Sequence, residues 1–278
     1  MLIVTFGRYG DQSNKSPYLF GISLYQQKHL ELPMQGRKQF NPRSFFSSPS
    51  SSGTSDLNPI TPYLSQIPCS WGALYFPEHW EEFHSFLAYR LSESSIIPLS
   101  TPIVPSVRSN LWLSSWKRFF IELVYLRGYL MLYPNFEGFV SLSTNHLEPG
   151  SHVKAFPPPY NSTDFIHLNH LNSSYFYVDK EKEKRDLFRL PLMPLPFPSR
   201  PPTGTGLLQL PEDRLPSLDD LPTLNLTGYL SSPRELQHQG DQRRKELFGC
   251  NGNSSRSEAE LYSVLDLFCI TDSDVTES

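Results

Sequence analysis

Cysteine is scarce in this chain, with three in 278 residues: Cys69, Cys250 and Cys269. They lie far apart, no CxxC or Cys/His pair has metal-site spacing, and an odd count supplies no disulfide framework. Basic charge is not in excess either. The formal net charge is −4 and the isoelectric point is near 6.1, and Lys and Arg form no stripe. A phosphate-backbone binder needs a concentrated cationic face to release counterions, so nucleic acid is excluded as a partner. Long apolar runs are missing as well. The most apolar stretch, Phe119 to Phe136, is interrupted by Glu122, Arg127 and Gly128, whereas a membrane span needs about 20 mostly uncharged residues. The opening MLIVTFGRYG has no basic n-region and too short an apolar run for a signal peptide. On this reading the chain is soluble and has no transmembrane segment. GxSxG, HExxH, P-loop and GxGxxG motifs are all absent.

What is present is unevenly spread. Hydrophobic residues make up 38% and aromatics 13%, enough for a core in part of the chain. The 26 prolines cannot all sit in helices or central strands, because each fixes φ and removes a backbone donor. They cluster from Phe156 onward, which predicts an ordered middle and an extended C-terminal third. Five domains or segments follow: 1–44, short and strand-containing; 45–59, a Ser-rich low-complexity insert; 60–156, an aromatic-rich core; 157–230, a Pro-rich extension; and 231–278, a disordered tail. Asn-x-Ser/Thr sequons begin at Asn14, Asn161, Asn172, Asn225 and Asn253. They permit a secretory-pathway location without demanding one.

Local patterns give the elements. Residues 2–6 (LIVTF) and Tyr18 to Tyr25 read as strands, rich in aromatic and β-branched side chains. In Glu78 to Ser92, Trp80, Phe83, Leu87 and Leu91 share one helical face, with acids in the first turn and Arg90 in the last. Pro77 suits the start of that helix. Asn110 to Leu126 predicts a second helix capped by Asn110 or Ser109, ended by Gly128 and followed by a strand at Tyr129 to Tyr133. A turn at Pro134-Asn135 and a strand-like FVSLST come next. Helix and strand so interleaved imply an α/β or α+β unit.

Two constellations can carry chemistry. The first runs from Trp71 to Glu82: its aromatic rings offer flat faces to a sugar or base, and nearby carboxylates can accept a proton. The plain alternative is a loop entering an amphipathic helix whose acids, Glu81 and Glu82 above all, serve the helix dipole. The second runs from Ser143 to His152, where His146, Glu148 and His152 can supply ligands to a divalent ion; alternatively it is a polar surface loop. Lys117 and Arg127 can neutralise phosphate, or can instead snorkel from an apolar helix.

The phrases PYLFGISLY (17–25), IPCSWGALYFPEHWEEFHSFLAYRL (67–91), SWKRFFIELVYLRGYLMLYPNF (115–136) and SLSTNHLEPGSHV (141–153) together resemble a eukaryotic family of glycosyltransferase-like proteins of the GT-A class. The resemblance implies a partial GT-A-like sandwich, a mixed sheet with flanking helices, followed by the largely disordered Pro/Ser-rich tail. In that class the first half binds the sugar nucleotide and carries an acidic metal-holding motif, while the second half contacts the acceptor. The matching portion begins at Tyr18, so the resemblance covers the C-terminal half alone. It implies Glu78 as catalytic base, Trp71, Trp80 and Glu81 as acceptor contacts, Arg127 against the diphosphate and His146 as a metal ligand. Transfer of a sugar from a nucleotide-sugar donor to a carbohydrate or protein acceptor, with Mn or Mg as the divalent metal, is the implied activity. It would be lost where the donor half is lacking. An intact member would sit in a Golgi or ER membrane. The rival expectation is a non-catalytic interaction protein that binds partners through its Pro-rich segment, residues 191–222.

Overall fold

The structure, a computed structural model, describes residues 17–46, 61–70, 72–135, 218–250 and 262–269. Three strands form its centre: β1 (Leu19–Ser23), β4 (Tyr63–Ser65) and β6 (Leu130–Tyr133), buried along their whole lengths. Strands covered on both faces need continuous apolar runs, not alternation, and LFGIS and LMLY have that character. β5 (Ala73–Tyr75), β7 (Thr223–Leu224) and β8 (Leu230–Ser231) complete a mixed sheet in the order β5-β1-β6-β4-β7-β8. β1 pairs with β6 and β4 with β7 in parallel; the other three pairings are antiparallel. A small hairpin of β2 (His29–Leu30) and β3 (Lys38–Gln39) stands apart from this sheet, followed by the short helix α1 (Pro42–Phe46).

The core lies on the central strands. Leu19, Ile22, Leu64, Leu130 and Leu132 gather with Leu221 and Leu236 in one apolar cluster. Leu19 and Ile22 share it because a register shift between Leu19 and Gly21 interrupts the alternation of β1. Tyr63 stacks on its cross-strand partner Tyr133 with centroids 5.5 Å apart, and Phe40 and Phe46 close on Tyr63.

Helices α2 (Pro77–Leu91) and α3 (Trp116–Arg127) pack together and connect β5 to β6. Gly128, at φ +64°, ends α3 as expected. The start of α3 differs from the expected Asn110. Residues Arg108–Leu111 form a single 3₁₀ turn, and Asn110 Nδ2 donates to Val104 O at 2.8 Å instead of capping a helix. The helix begins only after Ser115.

The expectation of disorder from residue 231 onward is corrected for the described residues 231–250 and 262–269. Pro233–Phe248 is a helix, α4, packed on α3 and contributing Leu236 to the core; Val264–Leu267 is a short helix, α5, against α2. Helix α4 is hard to see in the sequence because only Leu236, Gly240 and Arg244 are buried on it. At Gly240 an added Cβ would lie 2.5 Å from Leu126 O and 2.6 Å from Tyr125 O, so glycine permits the close helix crossing. The sheet likewise crosses the boundaries expected at residues 60 and 156, taking β1 from one side and β7 and β8 from the other. A disulfide, Cys250–Cys269, ties the end of α4 to the end of α5, and Cys69 is buried outside this bridge. The odd cysteine count therefore conceals one bridge. No helix among the described residues is long and apolar enough to cross a membrane.

Candidate functional site

Helix α2 starts where β5 runs out: Phe76 is extended, Pro77 occupies the first helical turn with φ preset, and Glu78 complements the dipole. This places Trp80 one turn in, on the border between core and solvent. Its ring stacks on Tyr75 with centroids 5.1 Å apart and planes 18° from parallel, and meets Phe83 at 5.4 Å and Phe120 at 5.9 Å. Around it on the outside stand exposed His84, 5.1 Å from the Trp80 ring, and Trp116, 42% exposed and edge-on to Trp80 at 6.3 Å. The half-buried indole is thereby fixed by rings, and Glu78 and Glu81 are exposed on the same first turns of the helix. A rigid aromatic ring can stack on an apolar sugar face, and exposed carboxylates on the same helix start can take hydroxyl hydrogen bonds.

Behind this shelf two ion clusters cross the helices. In the first, the Arg127 guanidinium lies 2.7 Å from Glu82 Oε1, donates to Asp266 Oδ2 at 2.6 Å, and reaches Ser263 O at 2.7 Å. Tyr129 OH donates to the other oxygen of Glu82 at 2.5 Å. Burial pushes the Glu82 carboxyl up, against the opposing pull of Arg127 and Tyr129. Arg244, from α4, donates to Leu267 O at 2.9 Å and to Asp266 O. In the second, Glu122 bridges Arg90 at 3.1 Å and Arg118 at 3.2 Å, while these arginines donate to Ile97 O and Leu99 O, each at 2.8 Å. Both guanidinia also approach the Phe119 ring. This cluster clamps the Pro-containing connector between α2 and α3.

His79 lies between the two tyrosine rings of Tyr129 and Tyr262, at 4.7 and 4.9 Å. Its Nε2 is 2.9 Å from Pro17 O, and its Nδ1 has no hydrogen-bond partner among the described residues. Burial holds its pKa down at about 4, so the imidazole is neutral at physiological pH.

The expected site residues fall into distinct places. Glu78, Trp80 and Glu81 lie on the first turns of α2, with both acids exposed. Arg127 lies 4% exposed in the side chain, its donors shared among Glu82, Asp266 and Ser263 O. Trp71 and His146 lie outside the described residues, as do Glu148, His152, residues 2–6, FVSLST and most of the Pro-rich segment. Lys117 is paired with Glu31 at 2.9 Å. Glu82, read with Glu81 as a dipole acid, is instead a core residue. The buried stripe of α2 runs through His79, Glu82, Phe83, Phe86 and Arg90, leaving Leu91 57% exposed. Three of its five members are ionisable, so a search for apolar spacing settles on the neighbouring stripe. The readable signals were the i,i+4 pair Arg118/Glu122 and the acid-to-base spacing within an otherwise apolar helix.

A family model described as the SPBC1E8.03c C-terminal domain matches residues 41–96, a span from α1 to just beyond α2 that contains Glu78, Trp80 and Glu81. No curated protein and no solved structure matches the chain.

Proposed function

We propose that this chain is a glycosyltransferase-like protein of the GT-A class whose Trp80 shelf receives the acceptor sugar. The observation that carries the reading is the half-buried indole of Trp80, stacked on Tyr75 and bordered by Trp116 and His84, on a helix whose first turns also carry the exposed Glu78 and Glu81. In this reading the acceptor's apolar face lies on Trp80 and Glu81 accepts a hydroxyl. Glu78 takes the proton of the attacking hydroxyl as the bond from the donor's anomeric carbon to its diphosphate breaks. Arg127 is left out of the donor contacts, because releasing it would strand Glu82 in the core. Among the described residues no group of three or more His, Cys, Asp or Glu side chains is placed to hold a metal ion, so no step is assigned to one. The Cys250–Cys269 bridge supports residence in an oxidising compartment such as the Golgi or ER lumen.

The test is a panel of UDP- and GDP-sugars with Mn²⁺, scored for sugar-dependent release of nucleotide and for quenching of tryptophan fluorescence by oligosaccharides. Glu78→Gln is expected to lower turnover by 10²-fold or more, on the order of a lost general base, with fluorescence quenching intact. Trp80→Ala abolishes the quenching. Neither binding nor turnover with any sugar overturns the reading.

A further inference from the structure

Four of the five sequons lie outside the described residues; the fifth, Asn225-Leu226-Thr227, forms the turn between β7 and β8. Asn225 Oδ1 accepts from Thr227 N at 2.9 Å, Thr227 Oγ1 at 3.0 Å and Tyr229 N at 3.0 Å. The side-chain carbonyl is thus held inward by its own sequon, and Nδ2 has no acceptor among the described residues. Asn225 N donates to Tyr229 O at 2.9 Å, closing the turn, and Gly228 takes φ +87° against Leu30. Leu226 is buried, so the turn is anchored in the fold while Asn225 and Thr227 remain half-exposed. Tyr229 next to it is 68% exposed, an aromatic face open to solvent. β8 ends the sheet order, so one edge of its backbone has no strand beyond it among the described residues. An edge of this kind invites pairing with other chains unless something covers it. Independently, the Cys250–Cys269 bridge favours an oxidising compartment, the kind in which sequons are read.

We infer that Asn225 is an N-glycosylation site, and that the glycan lies over Tyr229 and shields the outer edge of β8. The inference rests on the lumenal placement made above, not on sugar-transfer activity. The modification needs a polyprenyl-diphosphate oligosaccharide as co-reactant. The bond from the sugar's anomeric carbon to the diphosphate oxygen breaks, that carbon bonds to Asn225 Nδ2, and the displaced amide proton passes to a base of the transferring enzyme. The fold keeps the acceptor nitrogen unpaired and the half-exposed turn accommodates the product.

The full chain, isolated from eukaryotic cells expressing it, is digested and treated with a glycan-releasing amidase in heavy-oxygen water. Mass spectrometry then reads Asn225, and alkylation reads the Cys250–Cys269 thiols in the same sample. The expected result is a glycan on Asn225 in molecules whose disulfide is formed, lost in Asn225→Gln and Thr227→Ala and kept in Thr227→Ser. Because the disulfide reports the fold and the compartment in each variant, a misfolded variant is recognised as such, and Thr227→Ser supplies a conservative control. Unmodified Asn225 in disulfide-bonded wild-type chain overturns the site. Unmodified Asn225 with free thiols overturns its lumenal premise and the inference with it. A glycosylated chain that fails to transfer sugar leaves this inference standing and removes the transferase reading.

Discussion

Arg127 shows how a single side chain can hold distant pieces of sequence. It ties Glu82 on α2 to Asp266 and Ser263 on α5, from a helix that lies between them in the chain. Removing one partner of a buried ion pair costs about 3–5 kcal/mol. Arg127→Ala is therefore expected to lower the urea midpoint by that equivalent, and a change within ~0.5 kcal/mol would mean the cluster is not closed in solution. His79 supplies a separate pH signature. Its native pKa, about 4, lies below the ordinary imidazole value of 6.5, so the unfolded state binds more protons in between. Stability rises with pH across that window and falls as pH drops from about 6.5 toward 4. The full contribution is on the order of 3 kcal/mol. His79→Phe keeps a ring between Tyr129 and Tyr262 but cannot titrate, so its melting temperature should change less steeply with pH over that range. At this scale Glu78, Trp80 and Glu81 were legible as residues of one helix start, because they share one short segment of chain. Glu82 was not, since its partner Arg127 is 45 positions away in sequence.

Among the elements, β1 and β6 were legible because their continuous apolarity reports burial directly, and α2 was legible as a helix from its period, although that period pointed to the stripe beside the buried one. Helix α4 offered a different cue: Ser232 and Glu235 form a capping box with Pro233 between them. That signal marks a helix start but says nothing of what the helix packs against. Its docking depends on Gly240, where no methyl group fits against the Tyr125 and Leu126 carbonyls. Gly240→Ala should cost about 1–3 kcal/mol through overpacking, although alanine is the better helix former. Gly249→Ala is the control: nothing lies within 4 Å of its Cβ position, and only the φ of +69° opposes it, for about 1 kcal/mol. Equal effects in denaturant titration would argue against the close crossing. The two-residue strands β7 and β8 left no pattern to read, being shorter than any alternation can register.

For the whole molecule, the C-terminal third is divided between a Pro-rich stretch and an integral part of the fold. A chain ending at residue 231 loses α4, α5, Arg244 and the disulfide together, and should be insoluble or lack a cooperative melt. Breaking the Cys250–Cys269 bridge alone, by reduction or by Cys250→Ser, is the milder change. With a sequence separation of 19, the loop constraint is worth about 3 kcal/mol, readable as a lowered melting temperature in reductant. A mixed sheet with flanking helices was expected and is present, but its strand order and register could not be assembled from the sequence, because they depend on partners far apart along the chain. Leu64 pairs with Thr223, and that pairing sets a timetable for a ribosome. Translation at roughly 5–20 residues per second leaves β4 without its parallel neighbour for roughly 10–30 s after it emerges. For that interval an aromatic-lined, hydrogen-bonding strand edge is bare on the nascent chain, so biosynthetic yield should depend on chaperone supply more than the stability of the finished protein would suggest.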